Sequence, residues 1–392
     1  MDVISMSENT RLEKLTNYFL INVFFLILFG VIMVFSASYM YATENMGSSY
    51  HFLSKQLIYI ALGLGVALVF SKLKILYLYK QAYKINAFFG FLVTLTLVPG
   101  LSVVIKGSRR WLNLGFMNLQ PGEFLKYTLM LAAIRYFENF NAYTPKQRAL
   151  YMAGLVYPLG IFILQPDFGT FFISAMIIGF IAFLSSFPRK YFYSALVLGM
   201  IGAFGILISA PYRVKRLLTF LDPWKDPRGS GFQVIQSFLA FANGAFFGQG
   251  LGNSNEKLFY LPEAYNDFIF SVVGEELGFV GVIVTILMFI SFIFIGLKMA
   301  ISLKSRVGSI MVATIVFAIG FQAFLNMGVV LGVLPTKGLN LPFISYGGSS
   351  MVANLGALGL IFACIKIQPG DAKDVKNKGK QSPIGALKSA FN

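Results

Sequence analysis

Acidic side chains inside an apolar stretch are the first candidates for chemistry in this sequence. Asp267 opens a long apolar run that also holds Glu275, about 12 Å further along by helical rise, and Glu276 on the opposite face. An ionisable group at bilayer depth costs roughly 2.5–3.5 kcal/mol and usually marks a functional path. We therefore expect Asp267 to act as a general base and Glu276 to pair between helices. The alternative for Asp267 is that it caps the following helix, since Asp is a favoured N-cap residue.

Basic side chains in the polar segments are suited to an anionic substrate. Arg109 and Arg110 lie in the segment 107–115, and Arg213 and Arg216 lie at the start of a long polar insert. The guanidinium fork of Arg binds phosphate through two parallel hydrogen bonds. The alternatives are that these residues anchor the loops at the membrane interface or bind phospholipid headgroups.

Two short segments place further charged groups at helix starts. Glu123 and Lys126 are three positions apart, so they share a helical face and are expected to pair. Lys126 lies deeper than snorkelling explains, which favours a role in substrate binding. Asp167 lies in the turn QPDFGT, where capping of the next helix is favoured over contact with the substrate.

The last polar segment, residues 334–350, reads LPTKGLNLPFISYGGSS. This sequence predicts a re-entrant loop, which is tolerated at membrane depth only where protein or a water-filled cavity covers it. Lys337, Ser345 and Ser349 are its candidate substrate-binding residues, and Glu275 is a further candidate. We expect this loop to line the same cavity as Asp267.

Composition decides where these residues act. Of 392 residues, 57% are hydrophobic and only 12% are charged, against about 25% charged in soluble domains. The chain is therefore predicted to be a multi-pass membrane protein. Its net charge of +16 does not indicate nucleic-acid binding, because the basic residues lie between hydrophobic runs. Cys364 is the only cysteine and His51 the only histidine, so neither a disulfide nor a metal cluster is predicted.

Hydropathy predicts an all-α fold of about ten transmembrane helices. The segments are 18–38, 56–71, 84–104, 122–138, 150–165, 168–187, 191–210, 267–297, 308–333 and 346–366. Basic residues alternate between the connections, which by the positive-inside rule places both termini in the cytoplasm and the insert 211–266, between the seventh and eighth helices, outside. We expect a cytoplasmic N-terminus at 1–17, one transmembrane domain at 18–366 and a disordered basic tail at 367–392.

Seven motifs in this order resemble the SEDS family (shape, elongation, division and sporulation), over nearly all of residues 16–366. They are GSRRWLNLG, QPGEFLK, QPDFGT, PYRVKRLLTFLDPWKDP, GFQVIQSFLA, GLGNSNEKLFYLPEAYNDFIFSVVGEELGF and LPTKGLNLPFISYGGSS. The forms LPEAYNDFIF and LPTKGLNLPF resemble the division members more than the elongation members. Two departures are Gly122, where the family usually has Ser, and Tyr265-Asn266, where it usually has His-Thr.

The resemblance implies a peptidoglycan glycosyltransferase that polymerises lipid II at the outer face of the cytoplasmic membrane, at the division septum. It places the family's essential acid at Asp267 and implies the ten-helix fold. It also implies a class B penicillin-binding protein and other division proteins as partners. A divalent cation would assist at the pyrophosphate, but no ligand set for one is visible in the sequence. The alternatives are a lipid II flippase, a polymerase of cell elongation, and a structural recruiter of division proteins.

Overall fold

The computed structural model describes residues 3–105, 107–115, 118–208, 220–229, 231–254, 264–335 and 338–366. This part of the chain is almost entirely helical. Its helices are α1 (Val3–Met46), α2 (His51–Phe70), α3 (Ile75–Leu95), α4 (Pro121–Glu138), α5 (Pro145–Leu164), α6 (Phe168–Leu184), α7 (Arg189–Ile208), α8 (Phe232–Gly244), α9 (Ile269–Ser302), α10 (Arg306–Val330) and α11 (Gly348–Ile365). Two short 3₁₀ turns, Phe140–Ala142 and Pro223–Lys225, complete the helical elements.

The helices form where the apolar runs of the sequence are long enough to satisfy their own backbone in lipid. Six of them are long and apolar enough to cross a membrane: α1, α2, α5, α9, α10 and α11. The chain is therefore a multi-pass membrane protein of the predicted all-α class. Each of the ten predicted segments overlaps one long helix. That all ten segments cross the membrane stays a prediction.

The centre of the bundle is formed by α4, α10 and α11, which are buried over most of their length. Helix α4 packs against α3 and α6, and α11 packs against α2 and α10. The outward faces of α1, α2 and α7 carry exposed residues such as Phe24, Leu68 and Leu198, as expected for a surface that meets lipid. The polar side chains with catalytic potential therefore lie on or beside the central helices.

The third predicted segment, 84–104, is wrong at its end, because α3 stops at Leu95. Residues Ser102–Ile105 instead form strand β1, which pairs antiparallel with β2 (Ser108–Asn113), and β2 pairs with β3 (Asn118–Leu119). The run Val103-Val104-Ile105 is apolar, so hydropathy counts it as helix, although β-branched residues favour strands. At the other end of the chain, α1 begins at Val3 and so includes most of the predicted N-terminal segment.

Helix α9 is broken in its interior at Gly278, where φ is 66° and ψ is −164°. The next two amides find acceptors outside the helix. Phe279 N–H donates to the carbonyl of Ala245 at 2.9 Å, and Val280 N–H donates to that of Phe246 at 3.2 Å. The segment 245–250, which follows α8, thus supplies the acceptors that the helix has lost.

The same segment satisfies the carbonyl groups on the other side of the break. Gln249 N–H donates to the Glu275 carbonyl at 2.9 Å, and Gly250 N–H donates to the Glu276 carbonyl at 3.0 Å. An unsatisfied backbone group costs several kcal/mol in lipid, so a broken helix persists only where such partners exist. Segment 245–250 and the two halves of α9 therefore form one hydrogen-bonded unit.

We expect Gly278→Ala to destabilise the protein by about 1–3 kcal/mol, because only glycine adopts this backbone region without strain. A Cβ at this position would also lie 2.3 Å from the Gly248 nitrogen. Thermal unfolding in detergent measures the effect. Gly160→Ala is the control, since no atom lies within 4 Å of a Cβ built there and alanine favours a helix. Equal unfolding temperatures for the two variants would contradict the role of the break.

Candidate functional site

Asp267 lies in a turn that precedes α9, and its side chain is half-buried. The helix begins at Ile269, its N-cap residue is Phe268, and no side chain caps it. The interpretation of Asp267 as an N-cap is therefore wrong, because residues 264–268 form turns rather than the first turn of the helix. The Asp267 side chain therefore does not cap α9.

The loop 338–347 lies directly against the Asp267 segment. Tyr346 N–H donates to the Tyr265 carbonyl at 3.0 Å, and the Ser345 hydroxyl donates to the Asn266 carbonyl at 2.7 Å. A Cβ added at Gly338 would lie 3.1 Å from Asp267 Oδ2. The structure thus brings this predicted re-entrant loop and the predicted base together, and glycine leaves room for the carboxylate.

Two side-chain amides of α10 bind the Asp267 segment and the loop 338–347. Asn326 Nδ2 donates to the carbonyls of Asp267 at 2.7 Å and Leu339 at 2.6 Å. Gln322 Nε2 donates to the carbonyl of Asn340 at 3.0 Å. Both amides are buried, and their hydrogen bonds fix the main chain of Asp267 and of the loop beside it.

Lys126 is buried in the middle of the bundle, with 2% of its surface exposed. Its Nζ lies 2.7 Å from Glu123 Oε2, so the predicted pair is present, and it donates to Gln322 Oε1 at 2.9 Å. Near the start of the same helix, Gln120 N–H donates to the Ser349 hydroxyl at 2.9 Å. Helix α4 is therefore linked to the loop 338–347 through Gln322, and Gln120, just before α4, contacts Ser349 in the first turn of α11.

Asp167 caps α6, as predicted, and accepts hydrogen bonds from the Thr170 amide at 3.3 Å and the Thr170 hydroxyl at 3.0 Å. Arg110, on β2, approaches it with Nη1 3.7 Å from Oδ1 and also donates to the Pro166 carbonyl. Burial raises the pKa of the Asp167 carboxyl above its usual value, while Arg110 and Thr170 oppose this effect. Arg110 thus ties the small sheet to the α5–α6 turn, and Arg109 lies half-buried beside it.

The remaining acids of α9 contact other elements. Glu275 accepts hydrogen bonds from Asn243 at 3.4 Å and from Ser254, which belong to α8 and the segment that follows it. The Ser36 hydroxyl of α1 donates to the Glu276 carboxylate, and its Oγ lies 2.8 and 2.6 Å from the two carboxylate oxygens. The expected contact of Glu276 between helices is present, and Glu275 supports the break in α9 through these partners.

The candidate residues Arg213, Arg216 and Lys337 lie outside the described residues. Sequence reasoning missed Gln322 and Asn326, although a signal exists, because they are two amides four positions apart in an otherwise apolar run. Within the described ranges, no group of three or more His, Cys, Asp or Glu side chains is placed to hold a metal ion. The divalent cation stays a prediction.

The arrangement has the features of a general-base site. A half-buried carboxylate lies just before α9, whose first two turns are buried, and its main chain is fixed by two neighbouring segments. A positioned base of this kind removes a proton from a hydroxyl as that hydroxyl attacks. Lys126 of α4 is linked to the loop 338–347 through Gln322, and Arg110 of β2 lies at the α5–α6 turn. Cationic groups of this kind stabilise negative charge on a leaving group.

Comparison with known proteins places this arrangement in a family. The family model of the FtsW, RodA and SpoVE cell cycle proteins matches residues 16–368. A probable peptidoglycan glycosyltransferase FtsW from Geobacter metallireducens is 40% identical over 350 residues, which cover 85% of this chain and 90% of the relative. Stage V sporulation protein E from Bacillus subtilis is 37% identical over 345 residues, covering 86% and 93%.

Solved structures show the same fold. A chain of a peptidoglycan synthase complex that coordinates polymerization and crosslinking superposes with a TM-score of 0.67 at 30% identity, covering 87% of this chain and 96% of that one. A mutant of the rod shape determining protein RodA from Thermus thermophilus gives 0.64 at 26% identity, covering 88% and 95%. The chain therefore belongs to the FtsW/RodA/SpoVE family, the SEDS family that its seven motifs indicated.

Proposed function

We propose that this protein is a peptidoglycan glycosyltransferase that polymerises lipid II at the outer face of the cytoplasmic membrane. Relatives about 40% identical over most of the chain carry the name of that activity. The observation that carries the proposal is the half-buried Asp267, held between α10 and the loop 338–347 at the start of α9. An acid placed in this way is suited to a reaction that needs a hydroxyl activated beside a membrane.

In the proposed reaction, Asp267 accepts the proton of a sugar hydroxyl on one lipid-linked disaccharide. The hydroxyl oxygen forms a bond to the anomeric carbon of the glycan donor, the bond from that carbon to the undecaprenyl pyrophosphate breaks, and the configuration inverts. The pyrophosphate leaves with the electron pair, so its charge needs a cationic environment. The candidates for that role are Arg109, Arg110, Lys126, Arg213 and Arg216. A divalent cation would supply the same stabilisation.

The cellular role we propose is septal synthesis together with a class B penicillin-binding protein and other division proteins. The support is the similarity to relatives named FtsW and to a chain of a synthase complex that couples polymerization with crosslinking. In this arrangement both termini are cytoplasmic and the insert 211–266 faces the partner's side of the membrane. Depletion of the protein is expected to give filamentous cells, whereas round cells would indicate elongation.

The enzymatic proposal is tested with purified protein, alone and with its cross-linking partner, reconstituted in liposomes with fluorescent lipid II. We expect a ladder of glycan strands on a gel, and digestion of that ladder by a muramidase. A parallel assay measures transfer of the same lipid between leaflets. Transfer without any polymer, with or without the partner, would contradict the proposal and favour the flippase.

A further inference from the structure

The two amides on α10 have a geometry that packing alone does not require. Gln322 and Asn326 are four positions apart, so they lie one above the other on the face of α10 that meets the loop 338–347. Both are at most 2% exposed, and both donate to main-chain carbonyls of the Asp267 region. On the basis of the proposed function, we propose that Gln322 and Asn326 are positioning residues that set the geometry of Asp267.

Asn326 joins two segments that are far apart in sequence. Its single NH₂ group donates to the carbonyl of Asp267 at 2.7 Å and to that of Leu339 at 2.6 Å. Its Oδ1 is buried without a hydrogen-bond partner among the described residues. A buried polar atom without a partner costs stability, so the donor side of this amide is the side that the structure uses. The amide fixes the distance between the base and the loop that contacts its carboxylate.

Gln322 extends the same linkage to the buried ion pair of α4. Its Oε1 accepts from Lys126 at 2.9 Å, and its Nε2 donates to the Asn340 carbonyl at 3.0 Å. Lys126 is itself paired with Glu123 at 2.7 Å, which restricts the position of its ammonium group. The ion pair therefore orients Gln322, and Gln322 orients the loop. In this way Lys126 acts on the Asp267 region through Gln322.

A purely structural role is the competing explanation. Hydrogen bonds between membrane helices each contribute modestly to stability, and their loss then lowers stability without changing turnover by the folded protein. A positioning role has the opposite signature, because a shift of about 1 Å at a catalytic group can lower the rate about 100-fold while the fold persists. Turnover per folded molecule separates the two explanations.

The test uses two substitutions that keep the size of each side chain and replace its NH₂ donor with a carboxylate oxygen. Asn326→Asp loses both donated hydrogen bonds, whereas Gln322→Glu still accepts from Lys126 and loses the bond to Asn340. For each, we expect kcat for lipid II polymerisation per folded molecule to fall about 10-fold to 100-fold, with KM changed less than about 3-fold. Asn326→Thr, which is neutral and keeps one donor, should fall between Asn326→Asp and the wild type.

Asn86→Asp is the matched control. Asn86 is buried in α3, donates Nδ2 to the Gly154 carbonyl of α5 at 3.0 Å, and has an Oδ1 without a partner among the described residues. Like Asn326→Asp, this substitution introduces a carboxylate and removes a hydrogen bond to a main-chain carbonyl, but it does so at a position that does not contact the Asp267 segment. We therefore expect kcat per folded molecule to be unchanged. A fall equal to that of Asn326→Asp would show a general effect of buried carboxylates and overturn the inference.

The dependence of kcat on pH is a further measurement, and a purely structural role would not change it. Protonation of the new carboxyl in Gln322→Glu restores a donor toward Asn340, so the ratio of variant to wild-type kcat should rise as the pH falls. The inference would be overturned if the ratio were constant with pH and the folded Asn326→Thr variant turned over as fast as the wild type. The proposed function would still stand in that case, provided that the wild-type protein polymerises lipid II. An inactive wild-type enzyme would remove both proposals.

Discussion

Replacing Asp267 with Asn should lower kcat for lipid II polymerisation by about 10²–10⁴-fold, the usual contribution of a positioned general base. The amide has the size of the carboxylate, so it fits the space beside Gly338 and leaves the main-chain hydrogen bonds of Asn326 and Ser345 in place. It cannot accept the hydroxyl proton. The measurement is the initial rate of strand formation by purified protein with its partner, normalised to folded protein.

Asp222→Asn provides the control, because Asp222 lies in the insert that precedes Asp267 and pairs with exposed Lys225 at 3.4 Å. Exposed ion pairs of this kind contribute little, so we expect wild-type turnover and stability. If Asp267→Asn retained turnover within about 3-fold of the wild type, the assignment of Asp267 as the base would be wrong, since even a weak general base contributes about 10²-fold.

Lys126→Met should lower the free energy of unfolding by about 3–5 kcal/mol, because it leaves the Glu123 carboxylate buried without its cation. Both partners lie inside the bundle, with side-chain exposures of 2% for Lys126 and 11% for Glu123. Replacing both partners with apolar side chains, as in Glu123→Leu combined with Lys126→Met, is expected to recover most of this loss. Unfolding in detergent, followed by tryptophan fluorescence, measures both changes.

The activity of the double variant then separates a role of Lys126 in stability from a role in turnover. Turnover restored along with stability would show that Lys126 makes no required contact with the pyrophosphate. Stability restored without turnover would support either that contact or the orientation of Gln322. Lys225→Met is the control for charge removal, since Lys225 is 81% exposed and its loss should leave stability unchanged.

Hydropathy and charge predicted the membrane-embedded, all-α class because apolar helices are the only backbone arrangement that such long runs support in lipid. Local rules also predicted the Glu123–Lys126 pair, from spacing on one helical face, and the cap at Asp167. The capping alternative for Asp267 is not what the structure shows, because the turn 264–268 delays the start of α9. A capping preference describes a residue type and carries no information on where neighbouring loops allow the helix to begin.

The parts of the site that the sequence did not predict depend on contacts between distant segments. Strand β1 was not predicted because its residues Val103 and Val104 are as hydrophobic as helix residues. Their extended conformation depends on pairing with β2. Gln322 and Asn326 were overlooked because uncharged amides are a weak signal, even where two of them lie four positions apart in an apolar run. Their importance depends on carbonyls contributed by residues 267, 339 and 340, which only the folded chain brings near.

The interruption of α9 at Gly278 also bears on the order in which the protein is made. Two carbonyls and two amides around it depend on segment 245–250, which precedes α9 in the chain. A ribosome synthesises that segment first, so its donors and acceptors already exist when the second half of α9 emerges. A circular permutation that moved 245–250 behind α9 would leave four backbone groups of α9 without hydrogen-bond partners until that segment was synthesised. The N-to-C sequence of synthesis thus protects the membrane helix that most needs an external partner.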